Sequence, residues 1–199
     1  MNFLAHLYLS GDDPEVKVGN FIGDFVKGRD VHTRFTRNIA LGIELHREID
    51  HFTDLHPLVK RSKARLWATY RHYSAVIVDL YYDHFLARNW NEYHASFLPD
   101  YADGSYKILL QHDAILPEKV KWMLPHMMKG DWLSNYARVE GIHRALSGMA
   151  RRTRFVSNME HAATDLQAHY PDFEADFRAF FPELQRFAEN WRGQLLVGS

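Results

Sequence analysis

Apolar positions recur at helical spacing along nearly the whole chain, and the alternation expected of strands is essentially missing. Residues 14–27, PEVKVGNFIGDFVK, follow Asp12-Asp13 and open on Pro14, which is an N-cap with proline at the first helical position; Gly28 supplies a stop. The spacing predicts a long helix over about 34–54, ending before Pro57, and another over about 67–93. The second sets Val76, Leu80, Tyr81 and Phe85 on one side. Further helices are expected over about 118–129, 138–150, 155–169 and 172–196, with Pro117 and Pro171 at two starts and Gly130 at a stop. No internal repeat, low-complexity tract or Pro/Gly/Ser-rich linker divides the chain. The expectation is an all-α fold, a single-domain helical bundle over residues 1–199.

Composition narrows the function classes. The chain has 199 residues, enough for one domain with a sizeable core, and its hydrophobic share of 46% is ordinary for a globular protein. A net charge of -1 gives no reason to expect nucleic acid or an anionic membrane as partner. Cysteine is absent, which removes disulfides and thiolate metal sites and is compatible with a cytoplasmic location. The apolar start MNFLAHLYLSG lacks a basic leader, is interrupted by His6 and is too short for a membrane span, so a soluble, unprocessed protein is expected. Histidine stands out: it occurs 13 times, and it is the commonest metal ligand.

Four stretches place histidine or aspartate among apolar residues. In ELHREIDHFTD, His46 and Asp50 are four apart and share a helix face. Such a pair reads either as a surface hydrogen bond or as half of a metal site. In VDLYYDHFL, Asp79 and Asp83 repeat that spacing and His84 follows, inside so apolar a run that the carboxylates need cations or donors. An arginine ion pair and a metal satisfy that need equally well. In GNFIGDFVKG, Asn20 and Asp24 share a face, while Gly19 and Gly23 allow another helix to approach closely; on its own the stretch reads as packing rather than function. His6, in MNFLAHLYLS, reads alone as a core histidine. Together, these helices can build a mixed His/carboxylate site. His112-Asp113 lacks supporting carboxylates, and VKRSKAR at 59–65 reads as a solvated basic face. There is no P-loop, dinucleotide glycine fingerprint or G-x-S-x-G motif.

MNFLAHLYLS, GNFIGDFVKG, GIELHREIDHFTDLHP, DLYYDHFLARNW and GMARR, in that order, resemble the bacterial acyl-carrier-protein phosphodiesterases. The resemblance covers most of the chain. It implies a cytoplasmic, metal-dependent hydrolase that removes 4′-phosphopantetheine from holo-acyl-carrier protein. It also implies a divergent HD-like (His-Asp) all-helical phosphohydrolase fold that prefers manganese, with magnesium or iron(II) as alternatives. Here the candidate dipeptide Asp83-His84 reverses the usual order.

Carried over by residue, the resemblance points to His6, Asp24, His46 and Asp83 as metal ligands. Asp50 is expected as a further ligand or as the group that orients His46, with Asp79 a second candidate for orienting. The reaction implied is attack on phosphorus by a metal-activated water, with His84 as general acid or as a further ligand and Arg47 stabilising the phosphate oxygens. Arg151 and Arg152, in the GMARR segment, are the favoured contacts to an acidic carrier protein, ahead of Lys60, Arg61, Lys63 and Arg65. Two other readings remain: a similar centre acting on a nucleotide or small phosphodiester, and a non-catalytic helical interaction module.

Overall fold

A computed structural model describes residues 1–197. Its helices are α1 (Phe3–Leu9), α2 (Pro14–Ile22), α3 (Val31–Arg34), α4 (Arg37–Leu55), α5 (Pro57–Tyr70) and α6 (Ser74–Arg88). They continue with α7 (Leu98–Gln111), α8 (Glu118–Lys129), α9 (Trp132–Asn135), α10 (Val139–Ala150), α11 (Ala162–Ala168) and α12 (Tyr170–Val197). No strand occurs among the described residues, so the all-α expectation holds.

Local chemistry accounts for the boundaries. Asp13 caps α2 by accepting from the Val16 amide at 3.0 Å, with Pro14 following. That helix ends a turn earlier than expected, because Gly23–Phe25 tighten into a 3-10 turn and Val26 is extended. Thr36 caps α4, which starts at Arg37 rather than at 34. The span expected over 67–93 is split at Arg71, whose φ of 52° breaks the helical path between α5 and α6. α8 falls where its spacing placed it, whereas α7 had no counterpart in the pattern.

α6 buries apolar residues on every side, the pattern of a helix surrounded by protein. Ile77, Val78, Leu80, Tyr81, Tyr82, Phe85 and Leu86 are all fully buried. It packs against α1, α5, α10 and α12, with Tyr82 and Phe85 in ring contact with Phe177 of α12. α2 and α4 cross closely, as the glycines allowed. A Cβ on Gly19 would lie 2.1 Å from the Ile39 carbonyl oxygen, and one on Gly42 would lie 2.3 Å from that of Val16.

One basic stretch departs from its solvated reading. On α5, Arg61 and Arg65 turn to Asp176 of α12, whose side chain is fully buried, and Ser62 Oγ donates to the same carboxylate at 2.8 Å. Burial works against this carboxylate, yet the three donors hold it below its ordinary range. Lys63 remains outside, paired with Asp54 at 2.6 Å.

Candidate metal centre

Three segments converge on the middle of α4. α1 supplies His6, α2 with its 3-10 extension supplies Asn20 and Asp24, and α4 supplies His46 and Asp50. The two imidazoles stack, with ring centres 3.9 Å apart and 16° between their planes. Gly23 permits this, because a Cβ there would sit 2.3 Å from His46 Cγ.

The hydrogen bonds of Asn20 fix the state of both rings. Its Nδ2 donates to the His6 carbonyl at 2.8 Å and to Ser10 Oγ at 2.9 Å, which makes the atom facing His6 Nδ1 the oxygen, Oδ1, at 2.8 Å. Oδ1 can only accept, so His6 carries its proton on Nδ1. His46 Nδ1 faces the Asn20 backbone carbonyl at 2.7 Å, which again can only accept. In the neutral rings, Nε2 is therefore the atom that carries the lone pair. Both Nε2 atoms point at carboxylates: His6 Nε2 is 3.2 Å from Asp50 Oδ1, and His46 Nε2 is 3.2 Å from Asp50 Oδ2 and 3.2 Å from Asp24 Oδ1. Neither buried Nε2 has a well-aligned hydrogen bond despite these distances.

Lone pairs facing carboxylates repel unless a cation or a proton lies between them. Without a metal, one proton serves. Burial would lower His46, but Asp24 and Asp50 raise it to about 9. Burial and the charge of His46 push His6 down to about 4. Burial opposes the ionisation of Asp50, yet His46 and His6 hold it far below the ordinary carboxylate range. The ligand atoms of His6, His46 and Asp50 lie within 4.8 Å of one another, close enough to share one ion. Two nitrogens with carboxylate oxygens suit a divalent transition metal, and Asn20 orients both rings as partners of metal-bound histidines do. The residues fit the group. Asp50, with a side chain 38% exposed, and Asp24, at 70%, form the side of the cluster that meets solvent.

Other expected site residues have different partners. Asp83 is wholly buried and accepts from three backbone amides of the N-terminal segment: Leu4 at 2.8 Å, and Asn2 and Ala5 at 3.3 Å each. It thereby caps the helix that carries His6. Burial pushes its carboxyl up to about 7, against these donors. Asp79 is 3.1 Å from the Met1 amino nitrogen, which lies 3.6 Å from Asp50. The Arg47 guanidinium donates to the carbonyls of Val26 at 3.1 Å and Gly28 at 2.8 Å, bracing the segment after Asp24. His84 faces elsewhere. Its Nδ1 is 2.7 Å from the Tyr136 carbonyl and its Nε2 2.9 Å from Tyr170 Oη, beside a polar cleft that includes Arg88 and Arg138. Arg151 and Arg152 are exposed at the end of α10. Asn20 is the participant that spacing undervalued; its one signal was the Asn20/Asp24 helix face.

The sequence model of the family described as acyl carrier protein phosphodiesterase matches residues 1–184. The chain belongs to that family. Among acyl carrier protein phosphodiesterases, the one from Photorhabdus laumondii is 34% identical over 191 residues, covering 96% of each chain. Those of Yersinia enterocolitica and Yersinia pestis are each 32% identical over 191 residues, covering 96% of this chain and 98% of theirs. No solved structure matches the chain. No described helix of this phosphodiesterase family member is long and apolar enough to cross a membrane.

Proposed function

We propose that the protein hydrolyses, in the cytoplasm, the phosphodiester that joins 4′-phosphopantetheine to a serine of acyl carrier protein, with a divalent metal held by His6, His46, Asp50 and Asp24. The convergence on Asp50 of two Nε2 atoms, each on a ring whose Nδ1 is held as a donor, in a chain of this family, carries the reading. Manganese is the cation we propose, and magnesium or iron(II) are the alternatives. Such a cation supplies Lewis acidity that lowers the pKa of water and offsets phosphate charge.

The protein's own groups have distinct tasks. His6 and His46 offer Nε2, and Asp50 offers one oxygen towards each of them. Asp24, the most exposed of the four, stands at the solvent side, where a phosphate approaches. Asn20 keeps both imidazoles in the ligating tautomer. Arg47 and Asp83 act as positioning residues: Arg47 secures the backbone after Asp24, and Asp83 secures the first turn of α1. Arg151 and Arg152 are proposed to meet the acidic carrier protein, because opposite charge favours encounter and orientation.

Intact-mass measurement of holo-acyl-carrier protein incubated with the manganese-loaded protein tests the reading. Conversion to the apo mass, prevented by a chelator, is expected. An unchanged mass would overturn it, and cleavage of nucleotides under the same conditions would favour a small-phosphodiester substrate.

A further inference from the structure

An apolar trough of about 520 Å³ runs between the segment just after Asp24 and α8. Phe25, which follows Asp24 directly, and Phe3, a helical turn before His6, line it together with Trp122 and Met123 of α8. Trp132, Met149 and Arg152 also line it, and the same three residues border a second cavity of about 190 Å³ that reaches Gly148 and Arg144 on α10. The shared side chains make the two spaces neighbours. Trp122 is 64% exposed, an unusual position for a large ring on a protein's surface unless something covers it.

We propose that this trough binds the pantetheine arm of the substrate, an inference that rests on the functional reading above. With the phosphorus at the metal centre, the serine side of the diester leads back to the carrier protein, and the other side leads into the arm. That arm is a flexible, uncharged chain with a gem-dimethyl group, two amides and a terminal thiol. Such a ligand calls for apolar and aromatic walls with a few polar groups at the edges. Phe3, Phe25, Trp122 and Trp132 supply the walls, and Glu118, Lys119 and Arg152 are the charged groups among them. The cleft beside His84 is a poor alternative, since Arg88, Arg138, Glu140 and Glu174 line it with charge. Continuity with Asp24 through Phe25 makes the trough the direct route away from the reacting phosphate.

Two variants test the assignment from opposite directions. A Cβ at Gly148 meets nothing within 4 Å, so Gly148→Leu fills the inner space without a backbone clash, and leucine favours the helix more than glycine does. Trp122→Ser removes an exposed wall without emptying the core. Both should keep the wild-type melting temperature and manganese content. For each, we expect the KM for holo-acyl-carrier protein to rise about tenfold with kcat nearly constant, as when uniform binding is lost. Pantetheine, which lacks the phosphate, should inhibit the wild type competitively and both variants about tenfold more weakly. Unaltered KM and unaltered pantetheine inhibition in both variants would overturn the trough assignment while leaving the functional reading intact. A wild-type protein that releases no phosphopantetheine would overturn the functional reading, and the trough assignment with it.

Discussion

His6 and His46 stack 3.9 Å apart, and each turns its Nε2 to a different oxygen of Asp50. Stacked imidazoles that share one carboxylate cannot both be protonated without repulsion, so the pair holds one proton or one metal ion. The consequences can be measured.

Metal uptake should release a proton. At pH 7.5 His46, raised to about 9, carries the proton that a cation must displace, while His6, lowered to about 4, carries none. Calorimetry of manganese binding in buffers of different ionisation enthalpy should show release of about one proton, with affinity rising as pH approaches 9. No buffer dependence would contradict this.

The metal-free protein should also respond to pH on both sides of neutrality. The folded pKa of His46 lies above its ordinary 6.5, so its contribution is full below 6.5 and fades as pH rises through about 9. The folded pKa of His6 lies below 6.5, so its contribution is full above 6.5 and is lost as pH falls towards about 4. The melting temperature of the chelated wild type, taken relative to that of a His6→Gln, His46→Gln double variant, should therefore be highest near pH 6.5.

Gly23→Ala should damage both the site and its packing. The backbone there is ordinary right-handed helix, but the added methyl would lie 2.3 Å from His46 Cγ. Metal affinity should fall roughly 10–100-fold, as when a ligand's support is lost, and overpacking should cost the metal-free protein about 1–3 kcal/mol of stability. Wild-type affinity would show that His46 need not hold its position.

Asp83→Ala should act through α1. Three backbone amides lose their acceptor in a buried place, at a cost of about 1–3 kcal/mol in urea unfolding. Metal affinity should fall with it, because His6 stands on that helix. A metal-loaded variant of undiminished stability would contradict the capping role.

Much of this was legible in the sequence, and what was missed has physical causes. Helical periodicity gave the fold class, and Asp13-Pro14 marked the start of α2, because capping is local chemistry. The His46/Asp50 spacing is equally local, and it does place both groups at the centre. Periodicity could not show that Arg71 would adopt a left-handed φ and split one expected helix. Nor could it tell what neutralises a buried aspartate. An arginine pair and a metal were the alternatives for the α6 carboxylates, yet Asp83 has backbone amides, and the arginine pair occurs at Asp176. Asn20 was hard to see because its role depends on partners 14 and 26 residues away.

The most direct test of the proposed centre is the manganese affinity of Asp50→Ala beside that of the wild type, read from the electron paramagnetic resonance signal of free manganese. Asp50 is the carboxylate that both histidines face, so the account predicts that the variant binds the ion at least about a hundredfold more weakly. Manganese bound as tightly by Asp50→Ala as by the wild type would contradict it.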